Sequence, residues 1–337
     1  MAITTLGLIL GYTCNIRCRH CLWGETLLNK DRMTAEDACF YIDRASALGS
    51  IRLVGFSGGE PFLFRDTMKK AMLHAARKYR WPSSISSNCY WAKSPEEARA
   101  TLKPFYDVGL RSLQVSIDDF HQEWVPLDCA RHAIKAATDM GIKCTVVCIV
   151  TRNSRKLKDY VEDLGIEENG MVSVAEAPCT PVGFAADRIP PAEFAQEDGV
   201  PSNYCSILDV LNILPNGSVQ LCCGAPFQMD QLSAGNTKER PLTSIISDAE
   251  YDPVFNALAL ETGPRLLASA LQEAGKAGFM KKGYCSSCDA CQHIMGEQGV
   301  LEQLRQKLSV RQPELFLARA VAVQMRSEGN QQAVIET

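Results

Sequence analysis

Three cysteines stand close together in the run Cys14-Asn-Ile-Arg-Cys18-Arg-His20-Cys21. Thiolates bind soft metals and iron–sulfur clusters. Three on one short loop leave a four-metal cluster with one corner free for a substrate or cofactor. A structural zinc site wants four ligands, and the nearest other donor, His20, lies directly between two of the cysteines, poorly placed for the same ion. A second group is Gly58-Gly59-Glu60-Pro61. Paired glycines let backbone approach a ligand closely, and the glutamate adds an acceptor for an ammonium group. The third group is Cys205, Cys222 and Cys223, followed by Cys285-Ser-Ser-Cys288-Asp-Ala-Cys291. Adjacent strand residues point to opposite faces, so Cys222 and Cys223 do not both easily reach one metal centre.

The surrounding chain has 337 residues, 15 of them cysteines, and 35 basic against 39 acidic side chains for a net charge of −4. An odd cysteine count excludes complete disulfide pairing within one chain. The apolar run from Ile3 to Leu10 lacks the basic flank of a secretory signal and falls far short of the roughly 20 residues of a membrane span. A reducing, cytoplasmic setting is expected, with clustered thiols serving metals or catalysis rather than staples. Near-balanced charge argues against a nucleic-acid partner.

These groups need elements to hold them. Apolar, β-branched runs at 3–10, 51–56, 111–117, 143–150 and 171–175, with a weaker one at 83–87, predict strands. Helices are predicted between them. One follows the capping-box run Thr34-Ala-Glu-Asp37 and closes at Gly49, and another opens at Ser94-Pro95 and closes at Gly109. Others fit 65–79, 126–140 and 154–164. Six βα units in about 170 residues imply a parallel sheet with right-handed crossovers, an open sheet or a partial barrel, with ligands at the carboxyl ends of its strands. In Arg111–Asp118, Leu113, Val115 and Ile117 share one face; Ser112, Gln114, Ser116 and Asp118 share the other. The apolar face belongs against the helices, and the polar face predicts a cavity rather than a dry core. Residues 178–203 read as a crossing loop and 211–221 as a hairpin turning at Asn216-Gly217. Helices are expected at 253–260, 264–274, 298–309 and 313–327, and the last ten residues as a frayed end.

The first two groups together resemble the radical S-adenosylmethionine (SAM) superfamily, whose hallmark is Cys-x3-Cys-x2-Cys after the first strand of a partial (β/α)6 barrel. The resemblance covers roughly residues 3–176. It implies that Cys14, Cys18 and Cys21 bind three irons of a [4Fe–4S] cluster whose fourth iron takes the amino and carboxylate groups of SAM. Gly58, Gly59 and Glu60 would meet the methionyl amine, and His20 would lie near the adenine. Ser116 and Asp118 would touch the ribose or the methionyl carboxylate, with Asn88 a weaker match. The third group looks like the start of a SPASM or Twitch extension holding auxiliary clusters. Its few cysteines favour one auxiliary [4Fe–4S] cluster, ligated by four of Cys205, Cys222, Cys285, Cys288 and Cys291, with the spare left open. Cys223 is either a buried small hydrophobe or a thiol that donates a hydrogen atom to a substrate radical, as in radical SAM peptide epimerases.

The expected fold is thus an α/β partial TIM-like barrel over 1–178, a connecting loop at 179–204, a cysteine-rich hairpin-plus-helices unit at 205–297 and C-terminal helices at 298–337. The resemblance implies reductive cleavage of SAM to a 5′-deoxyadenosyl radical, with electrons from a donor such as flavodoxin or ferredoxin. The substrate is expected to be a peptide, ahead of a small metabolite, and the outcome epimerisation, with oxidation or C–S or C–C bond formation as the alternative. The first strand starts by about Ile3, so an N-terminal peptide-recognition domain is not expected and a separate recognition protein would serve. The rival from another class is a colourless zinc-binding scaffold. Asp119-Phe120-His121 reads as a capped loop with solvated charges ahead of a substrate-facing group, and Glu176 and Asp209 are further polar candidates.

Overall fold

The six expected runs form six parallel strands: β1 (Thr5–Ile9), β2 (Leu53–Ser57), β3 (Ser83–Ser87), β4 (Leu110–Ser116), β5 (Lys143–Val150) and β6 (Val172–Pro178). This computed structural model describes residues 3–335 apart from 202–204, 206, 208, 223, 225–228, 261–262 and 298, and only the backbone at 277, 323 and 325–335. The intervening helices start where side chains satisfy the first free N–H groups. Thr34 and Asp37 cap Ala35–Ser46 reciprocally, and Ser94 accepts from Glu97 N ahead of Pro95–Tyr106. Arg65–Tyr79 ends instead on Arg80 in the left-handed region.

The strands continue with β7 (Glu197–Asp198), β8 (Val210–Ile213), β9 (Ser218–Gln220), β10 (Ser233–Asn236) and β11 (Gly283–Tyr284). The sheet order is β10-β9-β8-β1-β2-β3-β4-β5-β6, and β11 pairs separately with β7. The hairpin expected in the extension is therefore part of the barrel's own sheet: β8 lies parallel to β1 and covers what would otherwise be a free edge. Its turn differs from the two-residue form. Gly217 alone has positive φ (+90°), and its N–H bonds Leu214 O across Pro215-Asn216. Proline at the second turn position favours this type I turn followed by a left-handed glycine.

The face assignment in β4 holds across the sheet. Leu113, Val115 and Ile117 are fully buried, with Leu6, Leu8, Val54, Phe56 and Val146 on the same side. The register Gly7–Gly55–Ser84–Ser112 and Ser86–Gln114–Thr145–Ser173 lines the other side. There Gln114 and Ser173 are exposed and Ser84, Ser86, Ser112 and Ser116 half-buried. Small, polar residues leave this side of the sheet as an open trough, since they have neither the bulk nor the hydrophobicity to fill it.

The crossing segment is more structured than a loop, with a helix at Phe184–Arg188 and strand β7. The sequence reading also missed helices Leu242–Glu250 and Ser287–Gly296, and the terminal helix runs Gln312–Ile335, beyond the expected 327. No helix among the described residues is long and apolar enough to cross a membrane.

Candidate active site

The loop after β1 carries Cys14, Cys18 and Cys21, and the segment after β2 holds it in place. Gly59 N donates to Gly11 O (2.9 Å) and Glu60 N to Thr13 O (3.0 Å). A Cβ on Gly58 would stand 2.4 Å from Gly11 O, and one on Gly59 2.2 Å from Thr13 O. The close approach that requires both glycines is therefore to the cysteine loop itself. Gly58 also has φ +143°, and its carbonyl accepts from Trp23 Nε1 (2.9 Å). Arg17 Nη1 donates to the carbonyls of Cys14 and Ile16, tightening the loop from within. From above, Gly183 of the crossing segment sits so near that a Cβ would lie 2.5 Å from Cys21 O, and Phe184 N bonds that same carbonyl (2.9 Å).

Glu60 is 1% exposed. Its carboxylate accepts from Phe62 N (3.1 Å), Ser87 Oγ (2.9 Å) and Asn88 N (3.0 Å), so it ties the loop after β2 to the end of β3. Burial pushes its pKa up to about 7, although those donors oppose the shift. Asn88 in turn reaches the cysteine loop. Its Nδ2 donates to Asn15 Oδ1 (3.1 Å) and lies 3.9 Å from Cys14 Sγ. Cys89, next in the chain, holds φ +60°, one of two non-glycine residues in the left-handed region among the described residues. The turn residue expected after β3 thus joins the site.

Asp118, 1% exposed, ends the polar face of β4. Oδ1 accepts from His121 N (2.9 Å), Oδ2 pairs with His121 Nδ1 (2.8 Å) and lies 3.6 Å from His20 Nε2. Burial opposes its ionisation, but the two imidazoles hold its pKa down to about 2. His20 goes the other way: burial lowers it to about 4, despite Asp118. Its ring stacks on Phe120 at 4.7 Å, and its Nδ1 is buried without a partner. Asp119 accepts from Tyr160 OH (2.6 Å) and Arg155 N (3.1 Å), and Glu176 accepts from Leu157 N (2.8 Å). Both therefore serve local structure. His121 is half-buried against Asp118 rather than fully solvated, so the 119–121 run is a capped turn whose histidine faces inward. Ser116 stands half-buried on the trough side.

The Asp118 pair makes a pH prediction. A carboxyl held below its ordinary value contributes stability above about pH 4 that is lost as pH falls toward 2. Asp118→Asn should lower the chain's thermal midpoint at pH 7, and the two proteins should converge near pH 2. A parallel offset at every pH contradicts this.

Burial pushes Cys14 up to about 12, with Cys18 and Cys21 adding to it, and burial with Cys18 raises Cys21. Among the described residues, one group of three donor atoms lies within 4.8 Å of one another: Cys18, His20 and His121. The three loop sulfurs do not all lie within 4.8 Å of one another, a wider set than one tetrahedral zinc ion holds. That spread, together with the unpartnered Nδ1 of His20 beside them, fits a multi-iron cluster with a further polar ligand.

In the C-terminal half, Cys288 and Cys291 are three apart on helix Ser287–Gly296 and so share a face. Burial raises Cys291 well above an ordinary thiol, and Cys205 and Cys288 raise it further. Cys222 is buried just beyond β9, its carbonyl accepting from Asn212 Nδ2 (3.0 Å). Asn212 pairs with Gly7 of β1, where a Cβ would collide with the Asn212 side chain. Nothing in the motif reading pointed to that support. Cys285 sits elsewhere: burial, Asp289 and Cys179 push it up to about 12, and it packs with Cys179 and Ile189. Thr180 and Ser286 join the two segments by a buried 2.9 Å hydrogen bond. Cys223 lies outside the described residues.

The Radical SAM superfamily profile matches residues 8–164, and that of the SPASM iron–sulfur cluster-binding domain matches 205–292. The chain thus carries a radical SAM domain followed by a SPASM domain. It is 22% identical over 282 residues to YydG of Bacillus subtilis (strain 168), provisionally named a peptide biosynthesis protein, covering 82% of each chain. Its fold is similar to that of Streptococcus suis SuiB, solved bound to the precursor peptide SuiA, with a TM-score of 0.55 and 16% identity over 77% of this chain and 67% of that one. The two domains support a radical SAM enzyme that uses SAM and iron–sulfur clusters, on a largely parallel sheet whose strand ends carry the matching loop.

Proposed function

We propose that this radical SAM enzyme modifies a peptide, and that the modification is epimerisation with Cys223 as hydrogen donor. The open trough carries the reading: its wall of serines, Gln114 and Thr145 leaves room for an extended chain and offers hydrogen bonds without a fixed shape. Both relatives named above are tied to peptides by their descriptions. Bound together, the cluster and SAM supply a 5′-deoxyadenosyl radical that abstracts a substrate hydrogen atom. Cys14, Cys18 and Cys21 hold the SAM cluster, the loop after β2 fixes their spacing, and His20, Ser116 and Asp118 complete the SAM side. The segment Gly183–Phe184 covers Cys21 and excludes water. A flavodoxin or ferredoxin supplies the electron.

We assign one auxiliary [4Fe–4S] cluster to Cys205, Cys222, Cys288 and Cys291, with Cys285 as the spare thiol. The influence of Cys205 and Cys288 on Cys291 supports it, as does the separate placement of Cys285 with Cys179. Cys291→Ala should remove about half of the bound iron, and Cys285→Ala should remove none. Iron analysis of the two variants checks this, and the reverse pattern refutes it.

Cys223→Ala should leave SAM cleavage intact and stop epimerisation. The deciding experiment incubates the reconstituted enzyme, SAM, a one-electron reductant and candidate peptides in deuterated water, followed by mass spectrometry. A gain of one deuterium with no other mass change selects epimerisation. A loss of two hydrogens selects oxidation instead, and an unchanged product from Cys223→Ala removes that thiol from the reaction.

A further inference from the structure

His121 has no part in the motifs that carry the family resemblance, yet it stands half-buried at the centre of the site. Asp118 holds it twice, through its backbone N–H and through Nδ1. One donor atom of the same ring lies within 4.8 Å of Cys18 Sγ and of a His20 ring nitrogen. His20 meets it edge-on at 5.0 Å and stacks on Phe120 on another side, so the ring cannot swing away. The geometry runs Asp118 carboxylate, His121 imidazole, Cys18 sulfur.

We propose that His121 is a positioning residue that donates a hydrogen bond to the Cys18 sulfur and thereby sets the reduction potential of the SAM cluster. The inference rests on Cys14, Cys18 and Cys21 holding that cluster. A cysteine bound to iron has no proton to give, so in any hydrogen bond between the two the ring is the donor. The bond withdraws charge from the sulfur. Reduction adds negative charge to the cluster, so such a donor favours the reduced form and makes the electron easier to accept. Asp118 contributes by fixing the ring's orientation, as a carboxylate does for a ligand-side histidine. Lys or Arg in this place would bring charge without the planar, two-sided geometry that joins a carboxylate to a sulfur.

The test compares His121→Phe, which keeps a flat ring and loses the donor, with His121→Gln, which keeps an N–H of similar reach. Both are made in the full chain and reconstituted anaerobically. Iron is counted, and the SAM-cluster midpoint is read by EPR-monitored titration. The signal of a chain lacking Cys14, Cys18 and Cys21 is subtracted to remove the auxiliary centre. His121→Phe should make reduction at least tenfold less favourable, about 59 mV for one electron, with full iron content, and His121→Gln should recover most of that. Loss of SAM-cluster iron in His121→Phe, restored in His121→Gln, also supports the donor. A fully loaded His121→Phe with an unchanged midpoint overturns the proposal, as does equal iron loss in both variants. If the underlying cluster assignment fails instead, the unaltered chain binds no more iron than the one lacking all three cysteines.

Discussion

Cys14→Ala is expected to abolish 5′-deoxyadenosine formation while the protein stays folded and keeps about half of its iron. The sulfur is half-buried, and its known contacts, Asn88 Nδ2 and Asn15 Oδ1, are long sulfur hydrogen bonds at 3.9 Å. Removing it costs little packing, so the loss would be chemical rather than structural. Without a third thiolate the loop cannot hold a cluster with one open iron, and the auxiliary site, built from other elements, is untouched. Liquid chromatography of SAM incubations with excess reductant checks this. Cleavage at the rate of the unaltered chain would refute the assignment of the loop.

Gly59→Ala is expected to be nearly as damaging, for a steric reason. Its Cβ would lie 2.2 Å from Thr13 O and 2.4 Å from Tyr12 O. Both are backbone atoms that no rotamer change moves. Overpacking of this kind costs about 1–3 kcal/mol or more, and the strain falls on the residue next to Cys14. The variant should melt lower and lose SAM-cluster iron while keeping auxiliary iron. Gly55→Ala is the control, because on the neighbouring strand its Cβ would meet nothing closer than Ser84 Oγ at 3.3 Å. A Gly59→Ala chain that reconstitutes fully would show that the two loops need not touch this closely.

Much of this arrangement was legible in the residues. Period-two patterning in Leu113, Val115 and Ile117 identified the helix-covered face of β4, because a strand has only two sides. The cysteine spacings marked the regions that match the Radical SAM and SPASM profiles, since few other structures need three thiols within eight residues. The supports were less visible. Gly58 and Gly59 read as room for a ligand, but the nearest neighbour that requires them is the chain's own loop after β1. Glu60 reads as an acceptor for an ammonium group, and nothing local shows that it is buried and also accepts from Ser87, Asn88 and Phe62. His121 reads as a solvated turn residue because nothing local predicts that His20 and Phe120 will close over it. The hairpin at 211–221 was recognised from its turn, but its pairing with β1 depends on a contact some 200 residues away in sequence. Local pattern says nothing about such partners.

Cys285-x2-Cys288-x2-Cys291 shows the same limit. Equal spacing makes any two of the three plausible ligands, and only the helix start at Ser287, capped by Ser286, separates Cys285 from the face shared by the other two. The capping serine therefore sets which thiols share the helix face with Cys291.

The account stands most directly on metal content. Anaerobic reconstitution followed by iron, sulfide and zinc analysis should find about eight irons and eight sulfides per chain, as two [4Fe–4S] clusters require, in a brown protein with broad visible absorbance. A colourless chain that takes up zinc in place of iron, and cleaves no SAM, would contradict it.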